Sequence, residues 1–158
     1  MKISLKVGFG FGLTSGVITT LGMMLGLYSS TNSKLALIGG ILSIAVADAF
    51  SDSMGIHISQ ETENHHSRRE IWESTAATFL GKLIIALTFI VPVIFLSIGY
   101  AILISIIWGL LLLAVFSFKM AKASGEKPIF LILEHLVVAG VVIVITYYLG
   151  GMIKKWFF

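Results

Sequence analysis

The chain has 158 residues, of which 57% are hydrophobic and only 12% charged, and its mean hydropathy is +1.00. A soluble domain carries about 25% charged residues, so this composition excludes an ordinary soluble globule and requires most side chains to face lipid or other apolar helices. The net charge of +3 and pI near 9.3 do not point to nucleic acid, because the basic residues are scattered at segment ends, where they read as topology signals. With no cysteine, disulfides and thiolate metal sites are excluded as well.

Crossing the hydrocarbon core takes about 20 apolar residues, and five segments reach that length. They run from about Val7 to Leu27, Leu35 to Ile58, Thr75 to Leu96, Tyr100 to Met120, and Ile129 to Ile153. The chain therefore reads as one all-α integral membrane domain, residues 1–158, with five transmembrane helices and a short connection at about 60–74. Lys2 and Lys6 precede an apolar stretch of full spanning length without a small-residue cleavage site, which argues against a removable signal peptide. The first segment repeats glycine every fourth residue, at Gly8, Gly12 and Gly16 and again at Gly22 and Gly26. This spacing lets a second backbone approach, either as ordinary helix packing or as a homodimer seam. Ser15, Thr19 and Met23 lie near one another on the helical wheel and either line a polar path or, for the hydroxyls, bond their own helix.

The second segment carries the chemistry. Asp48 and Asp52 are one turn apart, within about 40° of each other on a helix of about 100° per residue. A carboxylate at bilayer depth costs roughly 2.5–3.5 kcal/mol on insertion scales, so such acids mark an ion, a proton or a partner. Two so close cannot both stay charged cheaply unless a cation sits between them. Asp48 is deep in the segment, whereas Asp52 lies either on the path or in the hydrated cytoplasmic interface. Met54 points to another side of this helix.

The connection that follows holds Glu61, Glu63, His65 and His66, a set that suits a divalent metal of the Mn, Fe or Zn type or else a solvated loop. Between Lys82 and Lys119 there is no charge; Ser97, Gly99 and Tyr100 mark a hairpin turn there, and Pro92 predicts a kink. In the last segment Glu134 either faces the polar path or snorkels to the interface. Counting Lys2, Lys6, Arg68, Arg69, Lys82, Lys119, Lys122 and Lys127 against Lys34, Lys154 and Lys155 places the N-terminus in the cytoplasm, with Trp156, Phe157 and Phe158 as an interfacial anchor. No nucleophile–base pairing or hydrolase motif is visible, so the expectation is not an enzyme.

Three stretches carry a family resemblance. Ser15-Gly16-Val17-Ile18-Thr19-Thr20-Leu21-Gly22 is similar to the Asp-Gly-Ile-Val-Thr-Thr run of the vacuolar iron transporter family. The run from Gly39 to Asp48, followed by Ser51, resembles that family's Ala-Leu-Ser-Met-Ala-x-Gly-Glu stretch. The run from Gly140 to Gly150 resembles its last helix. What the resemblance implies is a homodimeric carrier in a prokaryotic cell membrane, exchanging Fe²⁺ or a related divalent ion for protons along a path near the subunit interface. The chain departs from the family pattern in having Ser15 for an aspartate, Ile44 for a methionine and Asp48 for a glutamate. Only the short Gln60–Ser74 connection stands in place of long glutamate-rich helices.

The resulting expectation is a carrier of divalent metal, Fe²⁺ or Mn²⁺, by proton exchange. It would have no permanently bound cofactor and would dimerise through the glycine-rich first helix. Asp48 and Asp52 would bind the ion, Ser15, Thr19, Met23 and Glu134 would line its path, and Met54, Glu61, Glu63, His65 and His66 are further metal candidates. The alternative is a non-transporting membrane protein whose buried acids serve helix packing or partner binding.

Overall fold

The computed structural model describes residues 3–63 and 65–157. Lys2 and Phe158, invoked above for orientation and anchoring, lie outside the described residues. Six helices follow one another: α1 (Ile3–Thr31), α2 (Lys34–Thr62), α3 (Arg68–Thr88), α4 (Ile90–Phe95), α5 (Ile98–Ser124) and α6 (Pro128–Phe157). No strand occurs among the described residues. Taking α3 and α4 together, five spans are long and apolar enough to cross a membrane. At 1.5 Å per residue a helix of 29 residues is about 43 Å long, more than the roughly 30 Å hydrocarbon core requires, so the ends of α1 and α2 reach past it.

Each boundary has a local cause. Asn32, with φ 49, ends α1 in the left-handed region that asparagine tolerates, and its amide returns to Tyr28 O at 3.0 Å. Ser33 then caps α2 by accepting from the Ala36 amide. Ser67 and Glu70 form a reciprocal capping box that starts α3. The connection is thus much shorter than the 60–74 expected. Glu61 is in the last turn of α2, Glu63 is its C-cap, and α3 has begun by Arg68. The third span breaks at Phe89, three residues ahead of Pro92. Proline has no amide for the carbonyl one turn back, which accounts for a break at this place. The following turn passes through Leu96 and Ser97, with Gly99 and Tyr100 already in the first turn of α5. Gly125, with φ 76, closes α5, and Pro128 opens α6.

α1 is the central helix and touches α2, α3, α5 and α6. Its glycines explain how. Gly8, Gly12 and Gly16 face α3 so closely that a Cβ would come 2.2 Å from Ser74 O at Gly8 and 2.5 Å from Thr78 O at Gly12. Across this contact the Ser74 hydroxyl donates to Ser4 O at 3.0 Å, and that of Thr78 to Gly8 O at 3.1 Å. Further along, Gly22 and Gly26 receive α6 at Val142 and Thr146. Both glycine rows expected to form a seam between two copies are therefore used within one chain. Beneath them Leu13, Val17, Leu21, Met24, Leu37, Ile41, Phe89, Val93 and Leu113 form the core. α6 packs on α1 and α5 and leaves most of its surface outward.

Close approach at Gly12 predicts that Gly12→Ala lowers thermal stability in detergent, by about 1–3 kcal/mol for an overpacked contact. Gly99→Ala, at a position with nothing within 4 Å, stays near wild type. Equal melting temperatures for the two variants would contradict the α1–α3 packing described.

Candidate functional site

Three helices bring one polar cluster together inside the bundle. α2 supplies Asp48, at its midpoint, and Asp52 one turn on; α1 supplies Ser15; α3 supplies Lys82. Lys82 is the residue that sequence reasoning misplaced. It was counted as a cytoplasmic topology charge, yet its side chain is 2% exposed and it stands at the middle of the span Arg68–Phe95. With Lys82 removed, the remaining basic residues still favour the same side. The signal was in the sequence. Lys82 lies two turns inside an apolar segment, and an intramembrane acid requires a partner.

The ammonium is surrounded by oxygen. It donates to Ser15 Oγ at 2.8 Å and to Asp52 Oδ2 in a shorter contact, and lies 2.5 Å from Asp48 Oδ2 as an ion pair. Two of its protons are thus donated to Ser15 Oγ and Asp52 Oδ2, whereas Asp48 Oδ2, buried and without a hydrogen bond of its own, is held by charge alone. Ser15 completes the ring by donating to Asp52 Oδ2 at 2.6 Å. The stem reaches α2 because α1 has no side chain in its way: a Cβ at Gly16 would come 3.2 Å from Lys82 Cγ. The cation that two neighbouring carboxylates require is therefore provided by the chain itself. Loss of the lysine costs about 3–5 kcal/mol, because it strands both carboxylates, whereas loss of either aspartate leaves a balanced pair.

The cluster is not sealed. The Asp48 and Asp52 side chains are 25% and 21% exposed. Asp48 also lines an open groove of about 490 Å³ with Met23, Gly40, Ser43, Ile44, Ala47 and Ser51. Two carboxylates against one ammonium leave a formal charge of −1 beside this groove. Its oxygens offer hard, oxygen-rich ligation of the kind that suits Mg, Ca or Mn, with the Met23 thioether at the rim as a softer contact.

The other expected residues divide clearly. Ser15 and Met23 belong with the two aspartates. Thr19 donates to Ser15 O of its own helix at 2.9 Å, the intrahelical alternative. Met54 is exposed on the outer side of α2, away from the buried face on which Asp52 meets Lys82. Glu134 is exposed on α6, which packs on α1 and α5, and its neighbour His135 contacts Ser117 Oγ at 2.7 Å. His57 stays apart from the aspartates. Thr75 donates to Ile71 O, which leaves its oxygen to accept from His57 Nδ1 at 3.0 Å.

Glu61, Glu63, His65 and His66 do not come together as one cluster. Among the described residues no three histidine or acidic side chains are placed to hold a metal ion together. α2 carries Glu61 on in helical register, whereas His66 turns back to an exposed pair with Glu63 at 3.2 Å. Neither the protein-family models nor the curated proteins compared with this chain give a match.

Proposed function

We propose that this five-span membrane protein carries a divalent metal cation, Fe²⁺ or Mn²⁺, in exchange for protons, with Asp48 and Asp52 binding the ion. One observation carries this reading: the mid-helix cluster holds one carboxylate more than its lysine neutralises, and that surplus opens on a groove. A pair that served only to join α2 to α3 needs one acid, and a second at this depth is costly. In the carrier, the divalent ion enters along the groove past Met23, meets Asp48 first, and is taken by both carboxylates with Ser15 Oγ as a third oxygen. Protons move in the opposite direction through the carboxylates as the metal leaves. The family resemblance supports the same class of function, with Asp48 at the position of the family's acid.

The resemblance also supports a dimer, but the glycine rows of α1 are already occupied. A free row of small residues lies on α2, where Gly39, Ser43, Ala47, Ser51, Gly55 and Ser59 are exposed at four-residue spacing. Nothing lies within 4 Å of Gly39 or Gly55. A second copy seated on this row would roof the groove and place two acid clusters along one path. The second reading, acids that only organise packing, is favoured by the lysine's contacts with Ser15 and both aspartates.

Flux separates the two. In proteoliposomes loaded with a metal-sensitive dye, Asp48→Asn is expected to lower Mn²⁺ uptake at least about tenfold, while Glu134→Gln retains it. Undiminished uptake in Asp48→Asn, or no uptake of any cation by wild type, would leave packing as the account. Because the chain has no cysteine, the dimer is checked by single substitutions. Ser43→Cys is expected to cross-link to a dimer in membranes, while Val141→Cys on outward α6 stays monomeric; the reverse pattern would move the interface to α6.

A further inference from the structure

Lys82 raises a question that the proposed transport does not answer: a carrier's cation site is already filled by a cation. We infer that Lys82 is a selectivity element, a tethered monovalent cation that holds the Asp48–Asp52 site against free monovalent ions and yields only to an ion of higher charge. This rests on the reading that the two aspartates bind the transported metal.

The geometry supports it in three ways. First, the ammonium is seated on the same oxygens a metal would use, Asp48 Oδ2, Asp52 Oδ2 and Ser15 Oγ, so the two occupancies exclude each other. Second, the lysine is held in place. Its backbone and stem pass through the gap left by Gly12 and Gly16 of α1, which keeps the ammonium at a high effective concentration at the site. A free Na⁺ or K⁺ offers the carboxylates the same single charge and must first give up its water and find the site by diffusion. A divalent ion doubles the attraction to both carboxylates. Third, among the described residues the ion pairs of Asp48 and Asp52 are both to Lys82. From α1 the Ser15 hydroxyl joins the cluster, and the sequence has no charged residue between Lys82 and Lys119, which covers α4 and most of α5. Selectivity is then achieved by penalising the wrong ion through an occupant it cannot displace. A lysine that served packing alone would affect stability and leave the order of ion preference unchanged.

The test uses the full chain in detergent, with Mn²⁺ binding measured by calorimetry at constant pH and ionic strength, set by either NaCl or N-methylglucamine chloride. Wild type is expected to bind Mn²⁺ equally in both salts. In Lys82→Met the affinity in N-methylglucamine is expected to rise about tenfold, and Na⁺ then to compete and lower it at least about fivefold. Lys82→Gln, which keeps a polar end for the aspartates, is expected to show the same Na⁺ sensitivity and serves if Lys82→Met does not fold. Na⁺ weakening Mn²⁺ binding in wild type, or neutral variants as indifferent to Na⁺ as wild type, would overturn the inference while leaving metal binding intact. Absence of Mn²⁺ binding in wild type would instead overturn the transport reading and this inference with it.

Discussion

An ammonium held between two carboxylates at the middle of three apolar helices is the interaction on which the rest of this structure depends. Each of these charges alone is expensive at that depth, and each is tolerated because the others are within hydrogen-bonding distance. The arrangement ties α1, α2 and α3 at one level and leaves α4, α5 and α6 to complete the bundle around apolar contacts. It also sets the rotation of α2: with Asp48 and Asp52 turned toward Lys82, the row from Gly39 to Ser59 is left on the outside.

The glycines of α1 make that interaction geometrically available. A lysine stem spans only a few ångströms, so α3 must approach α1 almost backbone to backbone before the ammonium can reach α2. Gly8 and Gly12 permit that approach, and Gly16 clears the stem. The hydroxyls of Ser74 and Thr78 consolidate it by donating to α1 carbonyls, as small polar residues do where helices pack without a hydrophobic driving force. Small residues and a buried charge are thus two parts of one device, with the close contact as the condition for the ion cluster.

Much of the architecture was legible beforehand because length and hydropathy are summed over many residues. Five spans, the hairpin near Ser97 and the break near Pro92 all follow from such local signals. The shared face of Asp48 and Asp52 was legible for the same reason, since a wheel needs only helical period. What the sequence hid depends on distant residues. The partner of the glycine rows, α3 and α6 rather than another copy, is set by how five helices choose neighbours, which spacing alone does not encode. A count of basic residues also says nothing of depth, and Lys82 lies as deep as the acids it pairs with. The connection expected over 60–74 lies where charge and polarity place it but is shorter, because α2 continues through Thr62 and a capping box at Ser67 starts the next helix early, which leaves only the turn around Glu63 and His66.

The measurement that bears most directly on the central claim is a structure of the protein crystallised with Mn²⁺, read at a wavelength where manganese scatters anomalously. A cation site shared between metal and lysine predicts an anomalous peak bounded by Asp48, Asp52 and Ser15, with the Lys82 ammonium withdrawn from all three. An undisturbed Lys82 with no peak among these oxygens, or a peak only beside Glu63 and His66, would contradict it.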